Sequence, residues 1–317
     1  MVAIADSAET LEQLWSELGD AGFEMADLII AVDFTASNPR SRECGNFFYN
    51  PPKGCPPTPS HTHPNAGHSL DPDADNPYRR AMTLIAKNMP NFDGDNKYEV
   101  FGFGSNAPET TDRALFSFRA GGQPCEGLEP APLPGGGGGG GGGSIGGGGR
   151  TLLECYARIS PRVKLGGPTT FAPIIRHACE VVRRKGFDYH ILLILTDGAI
   201  TRPDSTPAGE ASQWERDTAE AIAYARAFPL SIVAVGVGPG PWDLMRNFDD
   251  HIHQAGQRDN FQFCWLEECE RNNGARPPGE LFVVSALNEL PRQFVQGRAL
   301  KGAAPQGPPV SVLDPPA

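Results

Sequence analysis

Three unbroken apolar runs, Asp27–Val32 (DLIIAV), His190–Leu195 (HILLIL) and Leu230–Val237 (LSIVAVGV), leave few folds open to this chain. They are too short for core helices and lack the alternation of a strand with one wet face. Such runs are strands buried on both sides, which occur in parallel sheets covered by helices on each face. Helical patterns fill the intervals. Asn76 is placed to cap a helix with Pro77 at its first position, and Tyr78, Met82, Ile85 and Met89 share one face. Pro173 opens another, with Ile174, Ala178, Val181 and Val182 inward. Further helices are predicted over Thr151–Ile159, Trp214–Ala227, Trp242–Phe248 and Glu280–Leu300, the last kinked or split by Pro291. Tyr98–Phe103, Ala114–Phe118 (at an edge) and Phe261–Leu266 read as shorter strands. This alternation predicts an α/β fold, a doubly wound, mainly parallel six-stranded sheet with helices on both faces.

Composition narrows the function. With 27 basic and 38 acidic residues, the 317-residue chain has a net charge of −11, and its longest basic run is Arg183-Arg184-Lys185. Nucleic acid and anionic membrane are therefore not expected partners. The first residues, MVAIADSAETLEQLW, lack the pattern of a secretory signal, Val2 stands where myristoylation needs Gly, and no apolar run could span a bilayer. The seven scattered cysteines read as reduced thiols. The expectation is an intracellular protein, cytoplasmic or nuclear, without direct membrane insertion. Three segments depart from globular composition: the Pro/Asn/Asp/His-rich stretch 39–76, residues 130–150 with thirteen glycines, and the Pro-rich tail 301–317. The glycine tract and the tail are expected to be disordered. The expected organisation is an N-terminal helix within 1–22 and one domain over 23–300 that contains both insertions.

In doubly wound sheets, ligands bind beyond the carboxyl ends of the strands where strand order reverses, between the first and fourth strands of a 3-2-1-4-5-6 sheet. Asp33 ends the first strand and Asp197 the fourth. Asp33, Thr35 and Ser37 alternate as the chain leaves its strand, Thr169 follows Gly167-Pro168, and Asp197 lies in Thr196-Asp197-Gly198. Two carboxylates and three hydroxyls suit a small hard ion, Mg²⁺ or Mn²⁺, which keeps most of its charge and can attract a further carboxylate.

The segments DLIIAVDFTAS, LGGPTTFAPII, LLILTDGAIT and PLSIVAVGVGPGPWDLMRNFDD resemble the von Willebrand factor A-type domain of copines, and more closely the plant RING-domain ligase (RGLG) group that shares it. The likeness covers about residues 8–300. It implies a metal-ion-dependent adhesion site at Asp33, Thr35, Ser37, Thr169 and Asp197, and a protein partner that offers an Asp or Glu. It also implies a link to the ubiquitin-conjugating machinery, as substrate adaptor or pseudo-ligase, because residues 270–317 hold no Cys or His from which a RING finger could be built.

Other motifs carry less. Cys44, Cys55, His61, His63 and His68 are zinc-capable but match no standard spacing, and read as a solvated loop. Gly236–Gly240 lacks the third glycine of a dinucleotide fingerprint and reads as a tight turn. Asp93–Asn96 reads as a turn, and Cys264 and Cys269 as structural. No nucleophile lies in a motif with a base, so catalysis, including metal-dependent phosphohydrolysis, is the minority reading.

Overall fold

The computed structural model describes residues 8–36, 68, 76–89, 95–105, 115–127, 151–207, 209–240, 242–252, 257–300, 310 and 312–315. Its centre is strand β1 (Asp27–Asp33), buried on both sides. Leu28, Ile30 and Val32 enter one core while Ile29 and Ala31 enter the other. That is the period-two consequence of a pleated strand sandwiched between helices. β5 (His190–Thr196) divides the same way, with Ile191, Leu193 and Leu195 on the first side and Leu192 and Ile194 on the second.

The remaining strands are β2 (Lys97–Phe103), β3 (Leu115–Ser117), β4 (Cys125–Glu126), β6 (Leu230–Gly236), β7 (Phe261–Trp265) and β8 (Val312–Leu313). The sheet runs β7-β6-β5-β1-β2-β3-β8, and β4 pairs separately with β2. All pairings are parallel except those of β3 and β4 with β2. The order reverses at β1, flanked by β5 and β2, as the doubly wound reading requires. The sheet has eight strands, not six. The two extra strands, β4 and β8, are two residues each, too short to show a period, and β8 lies in the segment read as a frayed tail.

One face carries α1 (Leu11–Asp20), α2 (Pro77–Asn88), α3 (Leu152–Ile159), α7 (Leu266–Asn272), α8 (Glu280–Leu287) and α9 (Leu290–Gly297). The other carries α4 (Ala172–Arg184), α5 (Gln213–Ala225) and α6 (Asp243–His251). Start signals match the chemistry: Asn76 accepts from the Arg79 amide, and Thr10, Thr151 and Ser212 form capping boxes with Gln13, Glu154 and Glu215. The long C-terminal helix is split into α8 and α9, with Pro291 in the first turn of α9. α7, unforeseen, follows β7 without a loop, and its run LEECERN buries only Leu266 and Cys269.

Candidate metal centre

β1 and β5 are register-paired neighbours from Asp27 opposite His190 to Val32 opposite Leu195, so Asp33 and Thr196-Asp197 emerge side by side. Asp33 is fully buried, and Thr35, Thr169 and Asp197 are almost so. Asp33 Oδ1 accepts from the Thr35 amide at 2.8 Å, which turns the chain around the carboxylate as it leaves the strand. Its Oδ2 lies 2.6 Å from the Thr196 hydroxyl. The hydroxyls of Thr35 and Thr169 meet at 2.8 Å. Four of the five expected ligand residues therefore share one crevice; Ser37 lies outside the described residues.

The surrounding loops hold this arrangement. Ala36 donates to the Gly166 carbonyl at 2.5 Å, and Gly166 donates back to Phe34 at 3.1 Å, which fixes the Thr169 loop against the end of β1. Thr169 donates to the Thr201 hydroxyl and its carbonyl accepts from the Thr201 amide. Gly104 sits against Thr35 with φ of +77°, and a Cβ there would lie 2.2 Å from Thr35 Cγ2. Only glycine fits that position.

Beneath the site is a residue read as part of a solvated loop. His68 is buried, stacked between Phe34 at 4.4 Å and Tyr78 at 4.2 Å. Its Nε2 lies 3.0 Å from the Asp33 carbonyl and its Nδ1 2.9 Å from the Tyr156 hydroxyl. A carbonyl can only accept, so Nε2 carries the proton. Burial lowers the ring's pKa to about 3, so it is neutral and Nδ1 accepts from Tyr156. Asn76 Nδ2 donates to Tyr156 in turn. The zinc-capable reading thus fails at His68, whose nitrogens are both engaged. Cys44, Cys55, His61 and His63 lie outside the described residues. A lone histidine in a Pro-rich stretch carried no signal that it would turn inward.

Burial is the largest influence on both carboxyls. It raises Asp33 to about 6 against the hydrogen bonds from Thr196 and Thr35. Asp197 rises well above the ordinary carboxylate range through burial and then the charge of Asp33. Asp197 Oδ1 is buried without a well-formed hydrogen bond, and the Tyr78 hydroxyl beside the Asp197 carboxyl only partly offsets the rise. Two adjacent buried carboxylates with such an oxygen are what a cation would relieve. Among the described residues no group of three or more His, Cys, Asp or Glu side chains could hold a metal ion. An ion here would need the hydroxyls beside its two carboxylates, a donor set that fits a hard divalent cation.

The other motifs resolve into packing. The Trp242 and Trp265 indoles both donate to the Gly238 carbonyl, at 3.3 and 2.8 Å, so the glycine-rich stretch after β6 is a turn clasped by aromatic rings. Cys264 and Cys269 are buried free thiols with sulfurs 3.5 Å apart. No helix among the described residues is long and apolar enough to cross a membrane.

Comparison with known proteins gives the family of the chain. The family model described as Copine matches residues 66–131 and 146–306. E3 ubiquitin-protein ligase RGLG2 of Arabidopsis thaliana is 37% identical over 298 residues, covering 92% of this chain and 54% of its own. E3 ubiquitin-protein ligase RGLG4 of the same plant is 33% identical, covering 98% and 70%. Copine family protein 1 of Caenorhabditis elegans is 31% identical, covering 90% and 21%. The chain spans about half the length of RGLG2 and of RGLG1, 54% and 51%. Among solved structures, the von Willebrand factor type A protein from Catenulispora acidiphila aligns at a TM-score of 0.40 and 12% identity, over 86% of this chain and 43% of that one. With the family model matched over most of the domain, the chain belongs to the copine family.

Proposed function

We propose that this domain binds partner proteins through a divalent cation, Mg²⁺ or Mn²⁺, held by Asp33, Thr35, Thr169 and Asp197 together with Ser37. The observation that carries this reading is the pair of buried carboxylates on adjacent strand ends, Asp33 and Asp197, with Asp197 Oδ1 lacking a well-formed hydrogen bond. A bound ion would neutralise that pair and, with only two anionic ligands, retain charge with which to attract an Asp or Glu side chain from another protein. Thr196 and the Thr35 amide hold the Asp33 carboxylate in place, while the Thr35–Thr169 contact brings two hydroxyls to the same crevice.

Calorimetric titration of Mg²⁺ and Mn²⁺ into metal-stripped protein tests this directly. Saturable binding is expected, lost in Asp33→Ala and in Asp197→Ala. Binding that survives both substitutions, or no binding by the folded wild type, rejects the reading.

The kinship with E3 ubiquitin-protein ligases favours a second role for the same surface, presenting captured proteins to the ubiquitin-conjugating machinery. Association of the purified chain with a ubiquitin-conjugating enzyme, measured with and without a chelator, separates that role from simple capture.

A further inference from the structure

At the other end of α4 from the Thr169 loop, a cavity of about 340 Å³ opens between that helix and the β2–β3–β8 edge. A 13-residue helix is about 20 Å long, so this cavity stands apart from the candidate metal centre. Its walls combine apolar surface from Phe101, Val181 and Val312 with several polar groups. Its size is at the small end of the range for sites that enclose a compact organic molecule.

Most of those polar groups are already engaged. Ser117 donates to the Arg119 carbonyl at 2.7 Å. Lys185 bridges Asp27 at 2.8 Å and Glu99 at 3.1 Å, and Asp314 accepts from the Gly121 amide at 2.8 Å. Two groups are left over. His177 is 8% exposed, packs edge-on against Phe101 at 4.6 Å, and its Nε2 is buried with no hydrogen-bond partner. Leaving such a nitrogen unmatched destabilises the fold, and a ligand that bonds to it relieves that cost. Arg184, nearly two turns further along α4 and exposed, makes no hydrogen bond or ion pair among the described residues. Burial lowers the His177 pKa to about 4, so the ring is neutral and can donate through Nε2.

We infer that this cavity binds a small monocarboxylic acid with a compact apolar body, its carboxylate taken by the Arg184 guanidinium and His177 Nε2 and its body packed on Phe101, Val181 and Val312. Arginine suits a planar carboxylate, which it can grip with two parallel hydrogen bonds. The balance of the walls disfavours a second negative charge on the ligand. The two cations, Arg184 and Lys185, face two anions, Glu99 and Asp314, and only Arg184 is uncommitted. A dianion such as phosphate would confront both acids with one free cation.

The test uses the full chain with chelator present, so that a carboxylate cannot report on a bound metal ion. Benzoate and its uncharged analogue benzamide are titrated while the histidine ring signals are followed by proton–carbon NMR, with the His177 signal assigned by its loss in His177→Asn. Benzoate should shift the His177 signal saturably with a Kd below about 1 mM, and benzamide should bind at least about tenfold more weakly. Arg184→Gln removes an exposed, unpaired side chain, so it should keep the thermal midpoint while weakening benzoate about tenfold. The inference is overturned if millimolar benzoate leaves the His177 signal in place, if benzamide binds as tightly, or if Arg184→Gln binds benzoate as well as wild type.

Discussion

Asp33 and Asp197 are carboxyl groups that water scarcely reaches, and their protonation ties the stability of the fold to pH. Burial pushes Asp33 to about 6, whereas the same group in an unfolded chain titrates near 4. A native carboxyl that holds its proton more tightly than the unfolded one adds stability below about pH 4, and that contribution is lost as pH rises through about 6. For Asp33 alone the loss is on the order of 3 kcal/mol, and Asp197 shifts in the same direction. A divalent ion has the opposite dependence, because it needs both carboxylates ionised. In thermal scans of metal-stripped protein between about pH 4.5 and 8, the midpoint of wild type should fall with rising pH relative to that of Asp33→Asn. Added Mg²⁺ should restore it at the upper end and do little at the lower. An equal Mg²⁺ effect at both ends would exclude metal binding through these carboxyls.

Among the elements, β4 and α3 show how a long glycine tract can sit inside a domain. Glu126 of β4 bridges to Thr151, the cap of α3, and Gly127 donates to the Asn96 carbonyl at 2.8 Å. Residues 128–150 therefore begin and end at neighbouring points, and α3 carries its own start signal in the Thr151–Glu154 capping box. Deleting 130–150 should shift stability in urea by no more than about 0.5 kcal/mol and leave metal affinity unchanged; a loss above about 2 kcal/mol would show that the tract supports the fold. Elements of this molecule were readable from sequence in proportion to how locally they are determined. β1, β5 and β6 declare themselves because both faces are buried, and α2, α3 and α5 because their caps are polar side chains next to an apolar stripe. β4 and β8 do not, since two residues hold no pattern, nor does α7, whose charged run buries a single face against the sheet end. At the candidate centre, Asp33, Thr35, Thr169 and Asp197 follow from strand ends that the sheet order brings together. Tyr78 is marked as inward-facing by the apolar stripe of α2, whereas His68 and Tyr156 reach the centre only through tertiary packing that nothing in their neighbours' identities marks.

Across the whole molecule the sheet is a partition. The core that contains Ile85 of α2 and the core that contains Ile174 of α4 lie on opposite faces and share no residue. Ile85→Val and Ile174→Val should each cost about 0.5–1.5 kcal/mol. The double variant should cost their sum to within about 0.5 kcal/mol in denaturant unfolding. A larger departure would mean that the strands transmit strain from one layer to the other.

The pinning of His68 has its own consequence at this scale. Ala36 is bonded to Gly166 and His68 to the Asp33 carbonyl, so the described residues on either side of 37–67 are set a few side chains apart in one crevice. The entropic cost of closing a loop between two fixed points rises by only about 0.6 kcal/mol for each doubling of loop length. Insertions and deletions within 38–67 therefore carry small thermodynamic risk, while Ser37 and the anchors keep their places. The fold offers a separation of evolutionary tempo: a slow frame around Asp33 and Asp197, to which Ser37 belongs, and beside it the interval 38–67, whose length can change at little cost.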